Sequence, residues 1–118
     1  MDAAAIDVTW LRKTFDDDTV LAELYAMYVD DTTKRLGELR EAFAASDATK
    51  CSRIAHAVKC SSGNVGADRM RELAGILEKL DWAADPARPG ALVNDLETEF
   101  ARARAFVDQF MASMAVAK

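Results

Sequence analysis

The chain has 118 residues, of which 51% are apolar and 30% are charged, and this balance predicts one folded domain spanning residues 1–118. The formal net charge of −5 argues against nucleic acid as a partner, because phosphate neutralisation needs an excess of Lys and Arg. No apolar run approaches the ~20 residues that cross a bilayer, and the N-terminus lacks the basic region of a secretory signal. We therefore expect a cytoplasmic protein without a membrane partner.

Composition also favours an all-α fold. The two prolines and five glycines are too few to interrupt long helices, and good helix formers are abundant. Cys51 and Cys60 are nine residues apart, which on one helix corresponds to ~13 Å along the axis and exceeds the reach of a disulfide. Both cysteines are expected to be reduced thiols, as in a reducing compartment.

Apolar spacing and capping residues predict five helical segments, of which the first two lie before residue 46. The first, Ile6–Lys13, is short and has Asp7 as its N-cap. The second, Asp17–Ala45, is long, and the acidic run 16–18 lies at its positive end. Its apolar face consists of residues at helical spacing, namely Leu21, Leu24, Tyr28, Leu36, Leu39 and Phe43.

The third segment, Ala48–Ser62, follows Ser46–Asp47, which break the second helix and cap the third. It ends before Gly63–Asn64, because these two residue types tolerate left-handed backbone. The fourth segment, Ala67–Trp82, carries an apolar stripe formed by Met70, Leu73, Leu77 and Leu80.

A loop containing Asp85–Pro86 and Pro89–Gly90 is predicted before the last helix. That helix carries an apolar seam at steps of three and four, namely Val93, Leu96, Phe100, Ala103, Val107, Phe110 and Met114. Four long helices with short connections favour an antiparallel four-helix bundle, and the short first helix is expected to cover one end. We expect the domain to be a monomer. Such bundles host many unrelated activities, so function must be argued from side chains.

The third helix presents one unusual side chain. At about 100° per residue, four residues cluster within about 80° and are expected to face the core, namely Cys51, Ile54, Val58 and Ser61. His56, the only histidine, points to the opposite side. Three small residues share this outer face, namely Ser52, Cys60 and Gly63. Two basic residues, Arg53 and Lys59, flank it.

An outward imidazole in this setting is a candidate phosphoryl acceptor. Imidazole is largely neutral at pH 7, so one ring nitrogen keeps a lone pair that can attack phosphorus. Lys59, at position i+3 from His56, can reach negative charge attached there, and a charge pair at ~4 Å contributes about 1 to 4 kcal/mol. Two structural interpretations remain open from the residues alone, a histidine buried in the core and a merely solvated one.

The segment from Ala55 to Ala67, AHAVKCSSGNVGA, resembles the signature of bacterial and fungal histidine phosphotransfer domains. That signature has a phosphorylated histidine, a lysine three residues later, a pair of small residues and a glycine ten residues after the histidine, and the matching residues are His56, Lys59, Ser61, Ser62 and Gly66. Cys60 departs from the pattern, since the family usually has glycine there. The similarity extends through Leu36–Asp47 and through a fourth-helix pattern of Leu73, Leu77 and Glu78.

The resemblance implies that His56 accepts the phosphoryl group and that Lys59 stabilises it. It implies response-regulator receiver domains as partners, with a sensor or hybrid histidine kinase upstream, and the expected docking residues are Ser52, Arg53, Cys60 and Gly63. Cys60 is expected to narrow partner choice or to change the rate modestly. The sequence has no Gly-rich phosphate loop, so we expect a phosphoryl carrier without an ATP site, cofactor or metal, and not an enzyme.

Other interpretations of His56 fit the sequence less well. A kinase dimerisation domain usually has an acidic residue after the histidine, where Ala57 stands here. A catalytic Cys60–His56 pair lacks an evident oxyanion hole or pocket, and a metal site that also used Cys51 fails because that side chain points about 140° away from His56. The alternative function is a helical adaptor that docks a receiver without carrying phosphate. Docking in either case would use apolar residues expected to be exposed on the second helix, namely Tyr25, Met27 and Val29.

Overall fold

The structure is a computed structural model that describes residues 5–15, 17–82 and 87–116. The regular elements in these ranges are all helices: α1 (Thr9–Thr14), α2 (Asp18–Ala44), α3 (Ala48–Asn64), α4 (Asp68–Glu78) and α5 (Ala87–Val116). The all-α prediction is confirmed. None of the described helices is both long and apolar enough to cross a membrane.

Local side-chain caps decide where α2 and α3 begin. The Asp17 carboxylate accepts a hydrogen bond from the backbone N–H of Thr19 at 2.8 Å, and the Asp47 carboxylate accepts one from Lys50 at 3.1 Å. Each bond satisfies a donor that the first turn of a helix leaves without a partner. Ser46, between α2 and α3, takes a left-handed backbone with φ of 57°, so α2 cannot continue into α3.

The four long helices form the predicted bundle, in which α3 packs between α2 and α4, and α5 packs between α4 and α2. Contacts across the α2–α5 pair run antiparallel: Arg40 meets Glu97 at one end, and Tyr25 packs edge-on against Phe106 towards the other. With 27 and 30 residues, α2 and α5 are longer than α3 and α4, and the molecule is therefore elongated, 52 Å by 26 Å by 23 Å.

Most residues of the predicted apolar stripes are buried. The seam of α5 is buried from Val93 to Val107, and α4 buries Met70, Leu73 and Leu77. Phe43, Leu80, Phe110 and other residues at the margins of these stripes are half-buried and pack against this core.

The short first helix covers the end of the bundle where α3 turns into α4. Ile6 and Leu11 are each 1% exposed, and the backbone N–H of Asp7 donates to the carbonyl of Gly66 at 2.8 Å. Gly66 has a φ of 76°, a left-handed conformation that glycine adopts without steric cost. Asp7 also accepts from the N–H of Thr9 at 2.9 Å, as a capping residue does, but α1 begins at Thr9 and not at Ile6.

Three further predicted boundaries are wrong. α3 does not end at Ser62 but continues through Gly63 to Asn64, because the left-handed backbone expected of these two residues occurs instead at Gly66. α4 ends at Glu78 and not at Trp82, whose indole N–H instead donates to the carbonyl of Leu77 at 3.1 Å and so satisfies an acceptor of the last helical turn. Pro89 and Gly90 lie in the first turn of α5 and not in a loop, because a proline is tolerated where the backbone N–H has no helical partner. Asp16 and the Asp85–Pro86 pair lie outside the described residues.

The prediction that Tyr25 is exposed is also wrong. Its side chain is fully buried and packs edge-on against Phe106 and Phe110, because α2 turns this position towards α5. Burial raises the pKa of Tyr25 to about 12. Met27 is 69% exposed, as predicted, whereas Val29 is half-buried against the core.

Candidate functional site

His56 projects outward from the middle of α3. Its side chain is 56% exposed, whereas Cys51, Ile54 and Val58 on the opposite face are buried. The interpretation of His56 as a core histidine is therefore excluded. Periodicity placed the core face correctly except at its end, where Ser61 is only half-buried.

Ser62, and not Ser61, enters the core at the end of α3. It is fully buried, and its hydroxyl shares a 2.8 Å hydrogen bond with the hydroxyl of Tyr28 on α2. Burial raises the pKa of Tyr28 to about 12, so the phenol stays protonated and available for this bond at neutral pH. The bond joins α2 to the helix that carries His56.

Glu78, the last residue of α4, contacts both predicted site residues of α3, His56 and Lys59. One carboxylate oxygen, Oε2, lies 2.5 Å from Nδ1 of His56, and the other, Oε1, accepts from Nζ of Lys59 at 2.6 Å. A carboxylate can only accept, so Nδ1 must be the protonated ring nitrogen. In the neutral ring, Nε2 then carries the free lone pair.

The same contacts keep Glu78 ionised. Hydrogen bonds from Lys59 and then from His56 lower the pKa of the Glu78 carboxyl below its ordinary value of 4.5. A lowered pKa means that the charged form is stabilised in the folded protein above pH 4.5, and that this stabilisation is lost as the pH falls through the folded-state pKa. The carboxylate is therefore ionised around pH 7.

Three features fix the end of α4, one of them a direct hydrogen bond from α3. Ser52 on α3 donates its hydroxyl hydrogen to the backbone carbonyl of Glu78 at 2.6 Å, and the Trp82 indole caps the neighbouring carbonyl of Leu77. The side chain of Leu77 is fully buried. The backbone that carries Glu78 is thus held beside α3, within reach of His56.

Lys59 lies beside His56, as predicted, with its ammonium on Glu78 and a side chain that is 32% exposed. Its aliphatic chain lies over Gly75 on α4, where a Cβ would be in ordinary van der Waals contact with Cδ of Lys59 at 3.4 Å. Lys59 therefore reaches across the α3–α4 contact and places a positive charge next to the histidine.

Cys60 lies on the other edge of the imidazole. It is exposed, and its Sγ is 3.6 Å from Nε2 of His56. Cys51, by contrast, is buried in the core, and burial raises the pKa of its thiol. Among the described residues, no three His, Cys, Asp or Glu side chains are grouped so that they could hold a metal ion.

The remaining predicted docking residues surround His56 along α3. Arg53 is exposed, and Ser52 is half-buried because its hydroxyl serves the contact with α4. Both line an open groove of about 530 Å³ that extends from His56 to Trp82. Gly63 lies beneath Arg71 of α4, where a Cβ would come within 3.1 Å of Cδ of Arg71.

Glu78 is the site residue whose role the sequence did not reveal. Its local signal in the sequence is weak: it is an acidic residue directly after Leu77, within the fourth-helix pattern that resembles the family. Its hydrogen bonds to His56 and Lys59 depend on the register between α3 and α4. The spacing of apolar residues within one helix does not determine that register.

Comparison with known proteins places these features in a family. A family model described as the Hpt domain matches residues 23–106. The crystal structure of histidine-containing phosphotransfer protein B (HptB) from Pseudomonas aeruginosa PAO1 is similar, with a TM-score of 0.71 and 31% sequence identity, and the match covers 92% of this chain and 95% of that one. No curated protein sequence matches the chain significantly.

Proposed function

Because the chain belongs to the Hpt domain family of histidine phosphotransfer proteins, which act in phosphorelays, we propose that His56 carries its phosphoryl group. One observation carries this assignment. The imidazole is exposed in mid-helix, and its Nδ1 is engaged by Glu78, so the nucleophilic nitrogen Nε2 is the one not committed to the protein's own carboxylate. An aspartyl phosphate on another protein can reach such a nitrogen.

The reaction follows from this arrangement. The Nε2 lone pair forms a bond to phosphorus while the phosphorus–oxygen bond of the donor breaks, and the electron pair leaves with the donor's aspartate carboxylate. The ring gains positive charge because Nδ1 keeps its proton. Glu78, hydrogen-bonded to that proton, stabilises the charge as it develops, in the way a carboxylate orients and stabilises an imidazolium in hydrolases.

By this proposal the partners are receiver domains of response regulators, with a sensor or hybrid histidine kinase upstream. The phosphoryl group arrives already activated, so the domain acts as a monomeric carrier and uses no nucleotide of its own. The groove beside His56 offers Ser52 and Arg53 to the partner, and Cys60 and Gly63 extend the same face. The adaptor alternative gives no role to the His56–Glu78–Lys59 arrangement and is not favoured.

The test is transfer from a phosphorylated receiver to the wild type and to His56→Gln. We expect label on the wild type that is acid-labile and base-stable, as phosphohistidine is, and none on His56→Gln. Circular dichroism establishes that the variant is folded, which is expected for an exposed position. Binding of the receiver without labelling of the wild type would favour the adaptor, and label on the variant would place the phosphoryl group elsewhere.

Replacing Lys59 with Ala is expected to slow phosphoryl acceptance or shorten the lifetime of phosphohistidine about fivefold, since one cation near the surface contributes about 1 kcal/mol. In the wild type, the ammonium of Lys59 pairs with Glu78 and can attract the oxygens of a phosphoryl group on His56, and the variant loses both interactions. Lys50→Ala, an exposed lysine earlier on the same helix, is the matched control. The measurements are the rate of phosphoryl transfer and the rate of phosphohistidine decay in both variants. Equal rates in Lys59→Ala and Lys50→Ala would refute the role of Lys59.

A further inference from the structure

The nucleophilic nitrogen of His56 has a neighbour that the proposed reaction does not use. Cys60 is one helical turn beyond His56, and its Sγ is 3.6 Å from Nε2. In the neutral ring, Nδ1 holds the proton against Glu78 and Nε2 accepts, so the thiol S–H is the donor. The free protein thus has its reacting lone pair engaged in a weak S–H to N hydrogen bond.

We propose that the Cys60 thiol is a brake on phosphotransfer, which covers Nε2 in the resting protein and must turn away before phosphorus can approach. This inference rests on His56 being the phosphoryl acceptor. It assigns Cys60 to the reaction itself, through contact with the reacting atom, and not only to the surface that a partner touches.

The geometry of attack carries the argument. Phosphorus must approach Nε2 along its lone pair, and that is the direction in which a hydrogen-bond donor lies. The thiol cannot stay there during the reaction, and rotation about its Cα–Cβ bond to another staggered position removes it. Cys60 is exposed, so no core packing opposes the rotation. The thiol keeps its proton throughout, because the Nε2 lone pair passes to phosphorus.

The size of the brake follows from the weakness of the bond. Sulfur is a poor donor, and hydrogen bonds in water contribute about 0.5–1.5 kcal/mol net, so the lower half of this range applies and acceptance should be slowed roughly two- to fivefold. Such a factor adjusts the rate of a relay without stopping it. Glu78 is unaffected by the rotation, since it binds the opposite nitrogen of the ring.

The experiment compares wild type, Cys60→Ala and Cys60→Gly with two phosphoryl donors, phosphoramidate and a phosphorylated receiver. Alanine is the main variant because it favours helix, whereas glycine on an exposed helix costs stability. We expect both variants to accept phosphoryl roughly two- to fivefold faster from both donors. The ¹⁵N resonance of Nε2 in unphosphorylated Cys60→Ala should also shift, since the S–H donor is gone.

Equal or slower acceptance from phosphoramidate would overturn the brake. A gain seen with the receiver alone would also overturn it, because the small donor tests access to Nε2 without a protein surface. The double variant Cys60→Ala/His56→Gln separates this proposal from the assignment of His56. Label on the double variant would show that His56 is not the acceptor. If the double variant stays unlabelled and Cys60→Ala accepts phosphoryl at the wild-type rate, the brake is refuted while the assignment of His56 stands.

Discussion

Replacing Glu78 with Ala is expected to lower the rate of phosphoryl acceptance about 10- to 100-fold, because the reacting imidazole loses a charged hydrogen-bond partner. The carboxylate selects the tautomer that leaves Nε2 free, and it stabilises the positive charge that the ring gains as the bond to phosphorus forms. The rate for Glu78→Gln should lie between those of Glu78→Ala and the wild type, because the amide oxygen of Gln can still accept a hydrogen bond from Nδ1 but carries no charge.

The measurement is the initial rate of labelling by a phosphorylated receiver, with Glu72→Ala as the matched control. Glu72 is on the same helix, and its side chain is 63% exposed and paired only with Arg69 among the ion pairs of the described residues. We also expect the losses in Glu78→Ala and Lys59→Ala to be non-additive, since both remove parts of one hydrogen-bonded group. Acceptance by Glu78→Ala at the rate of Glu72→Ala would exclude the carboxylate from the reaction.

Replacing Leu77 with Ala is expected to lower the free energy of unfolding by about 2–5 kcal/mol, the cost of emptying a buried leucine site. Its side chain is fully buried, and it anchors the turn of α4 from which Glu78 reaches α3. The free energy of unfolding of a small domain is about 5–15 kcal/mol in total, so the expected loss is a large share of it.

Urea unfolding followed by circular dichroism measures this loss, and the neighbouring position provides the control. Ile76 is 38% exposed, and truncation to Ala there should cost about 1 kcal/mol or less. Similar losses at the two positions would mean that the Leu77 side chain does not anchor α4 in the core. Glu78→Gln should lower the unfolding midpoint much less than Leu77→Ala, because it removes one charge at the surface and leaves the core filled, and this difference separates the chemistry of the site from its support.

Much of the molecule could be predicted because the signals are local. Apolar residues at steps of three and four identify the buried faces of α4 and α5, and aspartates at 17 and 47 identify the starts of α2 and α3. The outward direction of His56 follows from the same periodicity, since the angle between two residues of one helix depends only on their separation. Five helices, their bundle and the exposed histidine were therefore accessible from the sequence.

Contacts between helices were not accessible in the same way. The burial of Tyr25 depends on how α2 faces α5, and the end of α4 depends on an indole that returns to cap it. Glu78 meets His56 because α3 and α4 lie antiparallel in one register, and a shift of a single turn would move its carboxylate about 5.4 Å along the axis and break both bonds. Spacing along one helix sets where its side chains point, but which side chain from another helix meets them is set by packing of the whole bundle.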